Sequence, residues 1–217
     1  MRHRPDVNRS LRDVQPHEGP HLAFDVHFHD VHALVLVDEV YLDAVYEGTP
    51  RTSLHLGPEF VVTSSLTKVY GVSGLRCGWI LAQPDLAWKM RRLNDLYSAT
   101  PVYPGELLSV AAFQHLELLR ERARRIVDAD RKLLRNFLAE QSGVSAVETK
   151  WGTTSFLRLL NGDANAFLER LRSDFDTSAV PGRFFEMPNH FRIGRGVNTE
   201  MLTEGLHRIG RALTLPS

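Results

Sequence analysis

Ser64-Ser65-Leu66-Thr67-Lys68-Val69-Tyr70-Gly71-Val72-Ser73-Gly74-Leu75-Arg76-Cys77-Gly78-Trp79 places a hydroxyl three residues before a lysine, three glycines after it, and an arginine eight residues beyond it. Apolar runs flank the stretch, Phe60-Val61-Val62 before and Trp79-Ile80-Leu81 after. This pattern predicts two short buried strands joined by a glycine-rich turn. Glycines let backbone approach a ligand closely, and Ser65, Lys68 and Arg76 together suit an anionic one. A lone lysine is ordinarily a solvated surface charge; one set between apolar strands, glycines and an arginine is not ordinary.

Upstream, Leu34-Val35-Leu36-Val37-Asp38-Glu39-Val40-Tyr41 runs four apolar residues into two acids. Such a run predicts a strand buried on both faces, as in a parallel sheet. Carboxylates at the C-terminal end of a parallel strand sit where open α/β sheets bind ligands, although a lone Asp there more often caps a turn. Glu39 is expected to point elsewhere as a surface charge. Downstream, His190-Phe191-Arg192-Ile193-Gly194 carries an arginine in a short apolar run. A planar guanidinium makes two parallel bonds to a carboxylate.

In this order the three segments resemble the class I/II aminotransferases, the fold-type I pyridoxal-phosphate enzymes. Ser65, Thr67, Lys68, Gly74, Arg76 and Gly78 fill that family's Ser-x-[Ser/Thr/Ala]-Lys and Gly-x-Arg-x-Gly pattern. Asp38 and Tyr41 fill its Asp-x-x-Tyr motif, and Arg192 its late arginine. The resemblance implies an α/β fold: the C-terminal part of the large cofactor-binding domain, with a mostly parallel sheet, and a small α+β C-terminal domain. It implies pyridoxal 5'-phosphate held by Lys68 as a Schiff base, and amino-group transfer between an amino acid and a 2-keto acid. Asp38 would pair with the ring nitrogen, Tyr41 with the phenolic oxygen, Ser65 and Arg76 with the phosphate. Arg192 would grip the substrate α-carboxylate. Arg195 stands where the family often has an apolar residue, so the substrate-facing arginine is open between Arg192 and Arg195. A lyase of the same fold would use the same Asp38 and Lys68, and a non-catalytic remnant is the third reading. The family is usually dimeric, so the full-length form is expected to be a homodimer.

The resemblance covers about residues 33 to 213. Residues 1–32 read as a divergent leader, 33–115 as the partial large domain, and 116–217 as a linking helix and small domain. Residues 1–32 hold six of the ten histidines, and no Asn-Pro-x-Asn-Pro segment precedes Asp38. The resemblance therefore implies a chain lacking the family's N-terminal part. His27, His29 and His32 invite a metal reading, but incidental histidines are preferred and no metal is expected.

The 217 residues balance 26 Lys and Arg against 26 Asp and Glu, with 43% hydrophobic residues. That is an ordinary soluble composition, with no net charge to draw nucleic acid or membrane. No apolar run is long enough for a transmembrane helix. Cys77 is the only cysteine, which fits a reducing cytoplasm and a packing role.

Helical spacing predicts a helix from Pro84 to about Tyr97 and one long helix from Gly105 to about Gln141. Within it, Arg120–Arg125 alternate with Glu117, Glu121, Asp128 and Asp130, which predicts a solvated face. Strands are expected over 144–147 and 154–160, and a helix over 164–174. A loop from Val180, a strand over 191–193 and a closing helix from 199 to 213, N-capped by Thr199, complete the prediction.

Overall fold

A computed structural model describes residues 33–45, 51–98, 100, 102–196 and 198–215. The His27/His29/His32 cluster and the leader lie outside the described residues.

The apolar runs make a three-stranded sheet: β1 (Val35–Asp38), β2 (Phe60–Ser65) and β3 (Gly78–Leu81). Strand β1 runs parallel to β2, with Asp38 opposite Thr63; β2 and β3 are antiparallel, with Ser65 opposite Gly78. The expected strand–turn–strand around Lys68 is therefore present, but only β2 is buried as expected; β3 is an edge strand whose Ile80 and Leu81 stand exposed. The apolar run before Asp38 behaves differently from expectation. Leu34 and Leu36 stand exposed, Leu36 at 70%, because no described element covers that face.

After α1 (Pro84–Ser98), the expected single helix is two: α2 (Tyr103–Gln114) and α3 (Leu116–Glu140). The chain leaves helical geometry at His115 (φ −127°, ψ 28°), whose N–H closes a tight turn on Ala112 O. The bend lets Ala112 from α2 and Leu116 and Leu119 from α3 all pack on one cluster beneath the lysine turn: Leu66, Val69, Tyr70 and Ala44. Helix α2 crosses closely there; a Cβ on Gly105 would lie 3.3 Å from Leu75 O. Cys77 packs against the same cluster, as its small apolar side chain predicts.

A second, antiparallel sheet orders β4 (Val144–Ala146), β5 (Thr154–Leu159), β7 (His190–Gly194) and β6 (Val180–Pro181). The expected loop at Val180 thus begins with a two-residue strand. One face of this sheet is covered by α3, α4 (Ala164–Phe175) and α5 (Thr199–Thr214), which bury Phe137, Leu157, Phe167, Leu171, Phe191 and Ile209 between them. Two sheets with helices packed on them give the α/β architecture expected.

The cap of α5 is Asn198 rather than Thr199: Asn198 Oδ1 accepts from Met201 N at 2.9 Å, while Thr199 is the first helical residue. Replacing Asn198 by alanine is expected to cost about 1 kcal/mol, the ordinary worth of a side-chain N-cap, read as a lower thermal midpoint.

Candidate active site

Because β1 and β2 are parallel, their C-terminal ends open on one edge, and β3 starts from that edge. Asp38 ends β1 and Ser65 ends β2. The turn between β2 and β3 carries Lys68 and Arg76. Asp38 and the Ser65–Arg76 stretch, separate in sequence, are thereby gathered where a ligand reaches open strand ends.

Each is held by its own local chemistry. Asp38 Oδ1 accepts from Val40 N at 3.2 Å and from Thr63 Oγ1 at 3.4 Å on the neighbouring strand. The hydroxyls of Ser65 and Thr67 share a 2.6 Å hydrogen bond, and Ser65 Oγ also accepts from Thr67 N. Lys68 sits in a turn closed by Gly71 N on Lys68 O, and Leu66 N donates to Cys77 O to join the two sides of the turn. With Leu66, Val69 and Tyr70 buried, the Lys68 side chain is left exposed, as is that of Arg76. Arg76 adopts the left-handed conformation (φ 53°, ψ 32°), which a non-glycine residue holds at some cost and which recurs at ligand-binding turns. Among the described residues, the side chains of Lys68 and Arg76 make no hydrogen bond or ion pair, so their charges are unspent.

Tyr41 connects this edge to the second sheet: Thr153 Oγ1 donates to Tyr41 Oη at 3.4 Å, leaving the phenolic proton free to be given elsewhere. The carbonyl of Thr153 accepts from Arg195 N at 2.8 Å, just past β7. The β7 end that bears Arg192 is thus tied to Tyr41 through one threonine.

The two arginines of that strand differ sharply. Arg195 is 4% exposed, and its Nη2 donates to Thr149 Oγ1 (2.7 Å) and Trp151 O (3.0 Å). Burial first, then the Arg131 charge, pulls its guanidinium below the ordinary value, against Asp130 and Glu148. It is a tie for the 149–151 segment. Arg192 lies on the sheet face away from the helices, over the Phe185 ring at 5.0 Å, with no hydrogen bond or ion pair among the described residues. Phe156 meets Phe185 edge-on and stacks on His190, so an aromatic shelf surrounds Arg192. Of the two, Arg192 alone has its guanidinium free.

Three polar residues depart from the sequence reading. Glu39 is buried, not a surface charge: its Oε1 accepts from Ser53 N at 2.6 Å, satisfying the start of a 3-10 turn, Ser53–Leu56. Asp130 is not on a solvated face. It is fully buried, accepting from Gly196 N (2.6 Å) and Thr199 Oγ1 (2.7 Å), and so pins the loop between β7 and α5. Gly196 itself is left-handed (φ 85°), and a Cβ there would meet Val127 Cγ2 at 2.8 Å. Arg120, also assigned to the solvated face, donates to the carbonyls of Asp43 and Val45. Asp130 had a visible signal, since it falls in step with Ala123, Val127, Leu134 and Phe137 on the buried stripe of α3. Glu39 and Arg120 had none, because their partners lie in irregular backbone.

A family model described as aminotransferase class I and II matches residues 26–209. Capreomycidine synthase of Streptomyces vinaceus is 27% identical over 184 residues, covering 83% of this chain and 47% of that protein. Histidinol-phosphate aminotransferase of Prosthecochloris aestuarii is 26% identical, covering 82% and 49%. Among solved structures, a PLP-dependent aminotransferase from Streptococcus suis 89-1591 superposes with a TM-score of 0.78 at 25% identity, over 85% of this chain and 50% of that one. The chain spans about half the length of the curated relatives it matches.

Proposed function

Since this chain belongs to the class I and II aminotransferases, we propose that it carries the lysine half of a pyridoxal-phosphate site, and that the whole protein moves an amino group between an amino acid and a 2-keto acid. The observation that carries this reading is the gathering of Asp38, Ser65, Lys68 and Arg76 on one strand edge, with the two cations unspent.

The donor set suits the cofactor group by group. Pyridoxal phosphate, when bound, supplies an electron sink for charge developing at the substrate α-carbon. Asp38, at the strand end, offers a carboxylate to keep a ring nitrogen protonated. Tyr41 offers a phenolic O–H to a ring oxygen. Ser65 and Arg76 offer a hydroxyl and a guanidinium to a phosphate. Lys68 offers the one amine in the turn, to hold an aldehyde and then to take and return the proton on the α-carbon. Arg192 offers two parallel N–H donors to the α-carboxylate, and its seat on Phe185 leaves them uncommitted.

A homodimer completes the proposal. Leu93, Leu96 and Tyr97 of α1 and Leu107, Leu108 and Val110 of α2 are all exposed, apolar side chains that a second copy could cover. A cytoplasmic location is part of the proposal, and the chain's one cysteine, Cys77, is free. Among the described residues no helix is long and apolar enough to cross a membrane.

The test is to incubate the full chain with pyridoxal phosphate, reduce with borohydride and map the modified peptide by mass. Stoichiometric label on Lys68 is expected. Label scattered over surface lysines, or absent, would sink the reading. With label in place, keto-acid product marks transfer, and released ammonia marks elimination.

A further inference from the structure

Tyr70 does something that the lysine turn does not require of it. It is buried, two residues past Lys68, and its Oη donates to Asp43 Oδ2 at 2.8 Å. Asp43 lies in the 3-10 turn Leu42–Ala44, which directly follows Tyr41. Ala44 from that turn packs in the same cluster as Leu66, Val69 and Tyr70. The backbone around Asp43 is held from the other side by Arg120 of α3, whose Nε and Nη2 donate to Asp43 O and Val45 O. The turn bearing Lys68 and the turn bearing Tyr41 have no covalent neighbour in common, since 27 residues separate Tyr70 from Asp43. The Tyr70–Asp43 bond spans that gap as a part-buried tie, beyond the strand-end bonds of Glu39 N to Thr63 O and Ser64 Oγ to Glu39 O.

We propose that Tyr70, through Asp43, is a positioning residue that sets the Lys68 turn against the Asp38–Tyr41 turn. The proposal rests on the reading of Lys68 as the cofactor lysine. The Tyr70 hydroxyl is committed to Asp43, while the Lys68 side chain is exposed and makes no hydrogen bond among the described residues, so the hydroxyl's action is on placement and not on the reacting atoms. Burial, then the bond to Asp43, pushes its phenol above its ordinary value, so it stays a donor across the working range. A phenylalanine would fill the same cavity, so packing alone does not ask for the hydroxyl. A polar tie at the edge of a packed cluster is costly if half-made, and here donor and acceptor meet at 2.8 Å.

The experiment labels wild type, Tyr70→Phe, Asp43→Ala and Asp43→Asn, each full length, with pyridoxal phosphate below saturation, followed by borohydride and peptide mapping. The readout is the share of label on Lys68 against other lysines, with near-ultraviolet circular dichroism as the check on folding. Tyr70→Phe and Asp43→Ala are expected to lower the Lys68 share roughly fivefold, the order of factor that one lost hydrogen bond carries. Asp43→Asn keeps an acceptor oxygen and is expected to stay within about twofold of wild type. The double variant Tyr70→Phe/Asp43→Ala should be no worse than either single one, because both remove the same bond. A wild-type share in Tyr70→Phe overturns the proposal, as does an Asp43→Asn that falls as far as Asp43→Ala. Wild type unlabelled at Lys68 overturns instead the reading of the lysine, and the proposal with it.

Discussion

Replacing Lys68 by alanine is expected to abolish borohydride-fixed label and to cut amino-group transfer by at least about 10³-fold, within the range that a positioned general base contributes. The amine has two tasks in the proposed chemistry, holding the aldehyde and moving the α-proton, and no other lysine lies in the turn. Folding should be untouched. Lys68 is exposed and its side chain makes no hydrogen bond or ion pair among the described residues, so the melting curve should overlay that of wild type. Lys68→Arg should be as inactive as Lys68→Ala, because a guanidinium keeps the charge but stays protonated and forms no bond to an aldehyde. Retained transfer in either variant would show that the unspent cation in this turn serves only to attract an anion.

Asp130→Ala is expected to be the most destabilising single change at a polar position, by about 2–5 kcal/mol, since it empties a fully buried site and strands two part-buried donors at once. Gly196 N and Thr199 Oγ1 both give their protons to this carboxylate, which is itself fully buried. The cost should appear as a lower midpoint in urea with an unchanged slope. The same residues fix the chain just after β7, so the loss should also reach Arg192 as weaker retention of carboxylate ligands. Asp130→Asn should fall between, because its carbonyl oxygen can still serve one donor while its amide faces the other. A shift below about 0.5 kcal/mol, the size of an ordinary surface change, would remove Asp130 from any structural role.

The sequence was most readable where chemistry and periodicity coincide. Lys68, Arg76 and the flanking strands could be placed because glycines, hydroxyls and apolar runs occur together only in a narrow set of turns. Asp38 could be placed because it closes an apolar run. Pairing was not readable to the same depth. The exposure of Leu36 depends on what covers the sheet, and four apolar residues in a row look alike whether one face is buried or two. The break at His115 was hidden because no proline or glycine marks it; packing on the lysine turn, a long-range effect, bends the chain there. The caps misled for a related reason. Asn198 and Thr199 are both good cap residues, and the choice falls to Asn198 because Asp130, 69 residues before Thr199, takes the threonine hydroxyl. Asp130 was the recoverable miss: its phase on the helix was legible, and its charge alone argued for the surface. The bonds of Glu39, Arg120 and Tyr70 end on irregular backbone or on a turn aspartate, where sequence spacing carries no geometric information.

Helix α3 is continuous over 25 residues. Its first turns, at Leu116 and Leu119, pack beneath Lys68, and its later ones, at Leu134 and Phe137, pack beneath the strand that bears Arg192. One rigid rod of about 37 Å therefore serves as the common ruler for both halves of the proposed site. A ruler of this kind has a phase as well as a length. One residue inserted between Leu119 and Asp130 would turn everything beyond it by about 100°, so that both clusters could not be seated together. Seven residues would restore the angle to within about 20° but lengthen the rod by about 10 Å. The segment should therefore tolerate changes in residue identity along its outer side and reject changes in residue number.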